Sequence, residues 1–108
     1  MKSTVIQYWK KFWKVRGNMK RFENKVAIVT GAARGLGAQY AIDLAVEGAK
    51  VILVGRDETG LQNVKKTIED EGGSAVYYKV DISDVIAVNA CVDDVVRTNG
   101  KIDILINN

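Results

Sequence analysis

An apolar run rich in β-branched residues, Val26 to Val29, empties into a loop with glycines at 31, 35 and 37. A helix-like segment (Ala38, Tyr40, Ala41, Leu44, Ala45) follows at once. A strand that turns this sharply into a helix aims the helix's unpaired N–H groups, and its positive dipole end, at whatever sits above the turn. A phosphate is the natural occupant. Each glycine has its own reason to be there: the tight turn, the close backbone approach to a diphosphate, and the close packing of helix on strand. The stretch Lys25–Gly37, KVAIVTGAARGLG, therefore predicts a turn built to hold a dinucleotide.

Downstream, strand-like and helix-like segments alternate without a break. The first strand is Val26–Thr30, and the first helix runs from about Gly35 to Glu47 with Gly48 as its terminal cap. Lys50–Val54 is a continuous Val/Ile/Leu run, the composition of a strand buried on both faces. A second helix over roughly Glu58–Glu71 places Leu61, Val64 and Ile68 on one face, and Gly72-Gly73 closes it. The third strand is Ala75–Val80. Ser83 is the expected N-cap of a third helix, with Asp84 in its first turn and Val85, Val88, Val92, Val95 and Val96 as its apolar stripe. A fourth strand, Ile102–Ile106, leads into Asn107-Asn108. This alternation predicts an α/β fold, a Rossmann-type doubly wound parallel sheet in spatial order 3-2-1-4, cut after the fourth strand.

Composition narrows the function. With 108 residues there is room for one small domain. The chain has one cysteine (Cys91) and no histidine, which excludes an internal disulfide and a structural zinc site and fits a reducing, cytoplasmic setting. Cys91 reads as core. Seven basic residues and no acid fall in positions 1–21, whereas positions 22–108 hold nine basic and thirteen acidic side chains. The basic balance therefore belongs to the tail, and the globular part, at −4, argues against nucleic acid as a partner.

The spacing Gly31-x-x-x-Gly35-x-Gly37 after Thr30, Asp81 at the end of the third strand, and the final ILINN together resemble the short-chain dehydrogenases/reductases of the classical type. Three spaced motifs in the correct order carry that resemblance over residues 21–108. It implies an N-terminal, cofactor-binding fragment of an oxidoreductase acting on an alcohol/carbonyl pair. Gly31, Gly35, Leu36 and Gly37 would hold the diphosphate, Asp81 and the backbone of Ile82 would flank the adenine, and Asn107 and Asn108 would line the ribose. Relatives are usually homo-oligomers. The family's serine, tyrosine and lysine chemistry lies downstream of these motifs. None of Tyr8, Tyr40, Tyr77 or Tyr78 is followed four residues later by lysine, so no catalytic residue is expected in this chain and the fragment alone is expected to be inactive.

The cofactor's identity is written at the end of the second strand. An NAD site places an acid there to accept from the ribose hydroxyls. Here the position is Gly55, followed by Arg56, whose guanidinium suits a 2′-phosphate. Arg34 is a candidate second cation, as in relatives that use NADP. The expectation is NADP in preference to NAD. The other reading of Arg56 is a solvated charge paired with Asp57 or Glu58.

Residues 1–20 form a basic extension outside the family pattern. Val5, Ile6, Trp9, Phe12 and Trp13 share a helical face, so the segment is an amphipathic membrane contact, an acid-free targeting peptide or an over-extended start ahead of Met19, and the last is preferred. A free-standing, non-catalytic nucleotide-binding module is the alternative for the whole chain. It ranks lower because the fourth strand would be an unpaired apolar edge.

Overall fold

The computed structural model describes residues 20–108, so the readings placed on residues 1–19 lie outside the described residues. Four strands, β1 (Val26–Thr30), β2 (Lys50–Gly55), β3 (Ser74–Lys79) and β4 (Ile104–Ile106), alternate with three helices, α1 (Gly35–Val46), α2 (Glu58–Asp70) and α3 (Val85–Asn99). The strands form one parallel sheet in the order β3-β2-β1-β4, as expected from the sequence. In register, Val29 lies between Leu53 and Ile106, and Leu53 is followed outward by Tyr77.

The period of two along each strand sorts side chains between two cores. Ala27, Val29, Val51, Leu53 and Ala75 face one side, where they meet Ala41 and Ala45 of α1 and Leu61, Val64 and Ile68 of α2. Val26, Ile28, Ile52 and Val54 face the other, against Cys91 and Val95 of α3. The helices change face as the strand order reverses at β1, which is what a constant crossover hand requires. Leu53 and Ile52 have no exposed surface, and truncating either to alanine would cost about 2–5 kcal/mol.

Helix ends follow local chemistry. The residue after the α1 cap, Gly48, adopts φ +99°, and Gly100 ends α3 in the left-handed region. Asp57 caps α2 by accepting from the Gly60 N–H at 3.1 Å. At α3 the expected cap is corrected: Asp84, not Ser83, accepts from the Ala87 N–H at 3.1 Å. The Ser83 N–H and hydroxyl instead donate to Asp81, two residues back.

Two further expectations change. β4 begins at Ile104 rather than Ile102, because Asp103 closes against β1 through its side chain as well as its backbone. Its Oδ2 accepts from Val26 N–H at 2.8 Å, and its own N–H donates to Val26 O at 2.8 Å. The Val26 N–H chiefly, with Lys101 beside it, holds the Asp103 carboxyl below the usual range. The α3 stripe is also only partly buried. Cys91 and Val95 are core, but Val85, Val92 and Val96 are exposed, because among the described residues nothing packs their side of the helix. An apolar groove of about 470 Å³ runs beneath, lined by residues including Ile28, Val88, Val92 and Leu105. α3 is anchored to the sheet by Tyr78, whose hydroxyl donates to Asp94. Burial and that carboxylate push the phenol up to about 12.

Candidate functional site

Parallel strands deliver all their carboxyl ends to one edge of the sheet. The loops after β1, β2 and β3 and the residues after β4 converge there, at the point where the strand order reverses. A cleft of about 430 Å³ opens between them, lined by Gly31, Gly55, Arg56, Val80, Asp81, Ile82, Ser83 and Asn108.

The glycine turn forms one wall. Gly31 and Gly35 both adopt φ +60°, a conformation that a side chain would strain. A Cβ on Gly35 would meet nothing within 4 Å, so the backbone there is open to close approach from above. A Cβ on Gly37 would lie 2.0 Å from Gly31 O, so α1 begins pressed directly onto the turn. The helix start itself carries neither a side-chain cap nor an acid in its first turn, unlike α2 and α3, whose starts are capped by Asp57 and Asp84. An uncapped, glycine-bared helix N-terminus of this kind fits a diphosphate, which satisfies the free N–H groups and complements the dipole.

A second wall comes from β4. The Thr30 hydroxyl accepts from Asn108 N–H at 3.0 Å and donates to Asn107 Oδ1 at 3.1 Å. Asn108 Nδ2 reaches Gly31 O at 3.4 Å. The two asparagines are thereby fastened to the end of β1.

The third wall is charged. Arg56 Nη1 stands 3.8 Å from Asp81 Oδ2, with both side chains open to solvent. Ser83 N–H and Oγ donate to Asp81 Oδ1 at 2.9 and 2.8 Å. These two hydrogen bonds, then Arg56, hold the Asp81 carboxyl below the usual range, so it is an anion at neutral pH. Neither acid beside Arg56 in sequence is its partner. Asp57 caps α2, and Glu58 accepts from the Tyr77 hydroxyl at 2.9 Å.

Gly31, Arg56, Asp81, Ile82 and Asn108 thus line one cleft. Arg34, Gly35 and Leu36 sit exposed on the crest of the turn, Gly37 is buried beneath it, and Asn107 lines the apolar groove on the far side. Three contributors were not singled out from sequence. Thr30 is the hub for both asparagines, and Ser83 holds Asp81. Gly60 lets α2 sit against the glycine turn, since a Cβ there would lie 2.8 Å from Ala33 O. A glycine inside a helix, costing about 1 kcal/mol against alanine, was the signal for that last contact.

Among the described residues no group of three or more His, Cys, Asp or Glu is placed to hold a metal ion, and no helix is long and apolar enough to cross a membrane. A 3beta-hydroxysteroid dehydrogenase of Mediterraneibacter gnavus is 40% identical over 90 residues, covering 83% of this chain and 33% of that protein. A metagenomic short-chain oxidoreductase solved in complex with NADP superposes with a TM-score of 0.76 at 38% identity, covering 78% of this chain and 38% of the other. An NAD+-bound xylitol dehydrogenase gives a TM-score of 0.76 at 37% identity, covering 80% and 33%. The chain spans about a third of the length of the curated relatives it matches. With the short chain dehydrogenase family model matching residues 25–108 as well, the chain belongs to the short-chain dehydrogenase family.

Proposed function

We propose that residues 21–108 are the dinucleotide-binding part of an NADP(H)-preferring oxidoreductase that interconverts an alcohol and a carbonyl compound. One observation carries the cofactor preference. The end of β2 presents Gly55 and Arg56 to the cleft, while the nearby acids Asp57 and Glu58 are engaged by α2 and Tyr77. Nothing there accepts from a ribose 2′-hydroxyl as an NAD site requires, and a guanidinium faces the place a 2′-phosphate would take. Arg34, exposed at the start of α1, is the candidate second cation.

In this reading the turn at Gly31, Gly35, Leu36 and Gly37 holds the diphosphate. Asp81 accepts from the adenine amino group beside Ile82, and Asn107 and Asn108 line the ribose. The nicotinamide, when bound, supplies hydride transfer. The four tyrosines of this chain lack a lysine four residues on, so the general acid/base of the parent enzyme is not among these 108 residues and the chain binds without turnover. The parent is read as a cytoplasmic homo-oligomer with a small-molecule substrate and no nucleic-acid partner. Structural relatives of equal likeness were solved with NADP and with NAD+, so they support a nicotinamide dinucleotide, and the preference rests on Arg56.

Fluorescence titration of the full chain with NADPH and NADH tests the proposal. A charge-assisted hydrogen bond is worth about 1.5–3 kcal/mol, so NADPH is expected to bind roughly ten- to a hundredfold more tightly. Tighter binding of NADH overturns the preference.

A further inference from the structure

The cation assigned to the 2′-phosphate and the acid assigned to the adenine face each other, with Arg56 Nη1 3.8 Å from Asp81 Oδ2. Neither assignment in isolation predicts that contact. Resting on the reading of Arg56 given above, we propose that Asp81 is a specificity-determining residue, which competes with the 2′-phosphate for Arg56 and so moderates the preference for NADP over NAD. A phosphate arriving at the guanidinium meets a second anion already there. It must either share Arg56 with that carboxylate or displace it, and both reduce the gain from the added phosphate. A cofactor lacking the 2′-phosphate leaves the pair intact.

Ser83 is the positioning residue of this arrangement. Its N–H and hydroxyl occupy Asp81 Oδ1, which leaves Oδ2 as the oxygen turned toward Arg56. They also hold the carboxyl below the usual range. Asp57 and Glu58 do not substitute for it, since each is held on another element.

A double-mutant cycle on the full chain tests this, with dissociation constants for NADP+ and NAD+ measured for wild type, Asp81→Asn, Arg56→Gln and the double variant. The readout is the NAD+ to NADP+ ratio of dissociation constants, in which any loss of adenine contact cancels because both cofactors carry the same adenine. Asp81→Asn is expected to raise that ratio about two- to fivefold, the scale of an exposed ion pair. In the Arg56→Gln background it should leave the ratio unchanged. Ser83→Ala should shift the ratio the same way by a smaller factor and move the Asp81 carboxyl titration, followed by NMR, back toward its ordinary range. If Arg56→Gln abolishes the preference but Asp81→Asn leaves the ratio unaltered, or alters it equally in both backgrounds, the competition is refuted while the cofactor reading stands. If Arg56→Gln itself leaves the ratio unaltered, the cofactor reading fails and this inference with it.

Discussion

The Thr30 hydroxyl and the Asn108 backbone N–H lie 3.0 Å apart, although 78 positions separate them in the chain. That one contact, with the Asn107 side chain on the same oxygen at 3.1 Å, fastens the end of β4 to the turn that opens the site. Thr30 itself is buried, whereas both asparagines are exposed, so the clasp ties an exposed strand end to a buried one.

Thr30→Val keeps the shape and removes the hydroxyl. Losing the bond to the exposed Asn108 N–H is expected to cost about 0.5–1.5 kcal/mol and lower Tm by a few degrees. NADPH binding should weaken alongside. Thr30→Ser should restore most of both. A thermal melt of the three chains decides it, and a valine variant as stable as wild type would show that the clasp contributes nothing.

The glycines of the turn should respond differently to alanine. At Gly37 the new methyl would sit 2.0 Å from Gly31 O, so the turn or α1 must move, at a cost of roughly 1–3 kcal/mol and with loss of the diphosphate seat. At Gly35 there is open space, and only the left-handed backbone is strained, by about 1–2 kcal/mol. Cofactor titration should therefore separate them: Gly37→Ala abolishes binding, whereas Gly35→Ala weakens it. Equal effects would mean that steric contact with Gly31 is not what holds the turn.

Glu47, at the end of α1, is buried, and its nearest cation is Arg21, with Nε at 3.9 Å. Burial chiefly raises its pKa, Arg21 opposes the rise, and Asp43 adds to it. The folded state therefore holds this proton more tightly than the unfolded chain does. Its contribution is fully present below the ordinary carboxylate pKa and is lost as pH climbs through the raised value. Glu47→Gln should remove that decline, so stability relative to wild type should grow as pH rises from about 4 to 7. Asp81, Asp94 and Asp103, all shifted downward, act in the opposite sense at lower pH and cancel in the comparison. Urea melts across that range check it; a constant difference between the two chains would remove the argument.

What the sequence determined alone is whatever local periodicity and turn chemistry encode. The seven elements, the strand order and the glycine turn were all legible. β1 matched its expected span, and α1, α2 and β2 differed only by a residue at an end, because a period of two or of 3.6 and a terminal glycine act within a few residues of themselves. The tertiary structure decided which groups find each other across the sheet edge. Arg56 had two acids next to it in sequence and meets neither, since one caps a helix and the other bonds a tyrosine on β3, leaving Asp81 as its partner. The sequence pointed to Ser83 as the cap of α3, but Asp84 takes that place while Ser83 donates to Asp81. Side-chain partners are chosen by distance in space, and adjacency along the chain specifies that distance only inside a single helix, strand or turn.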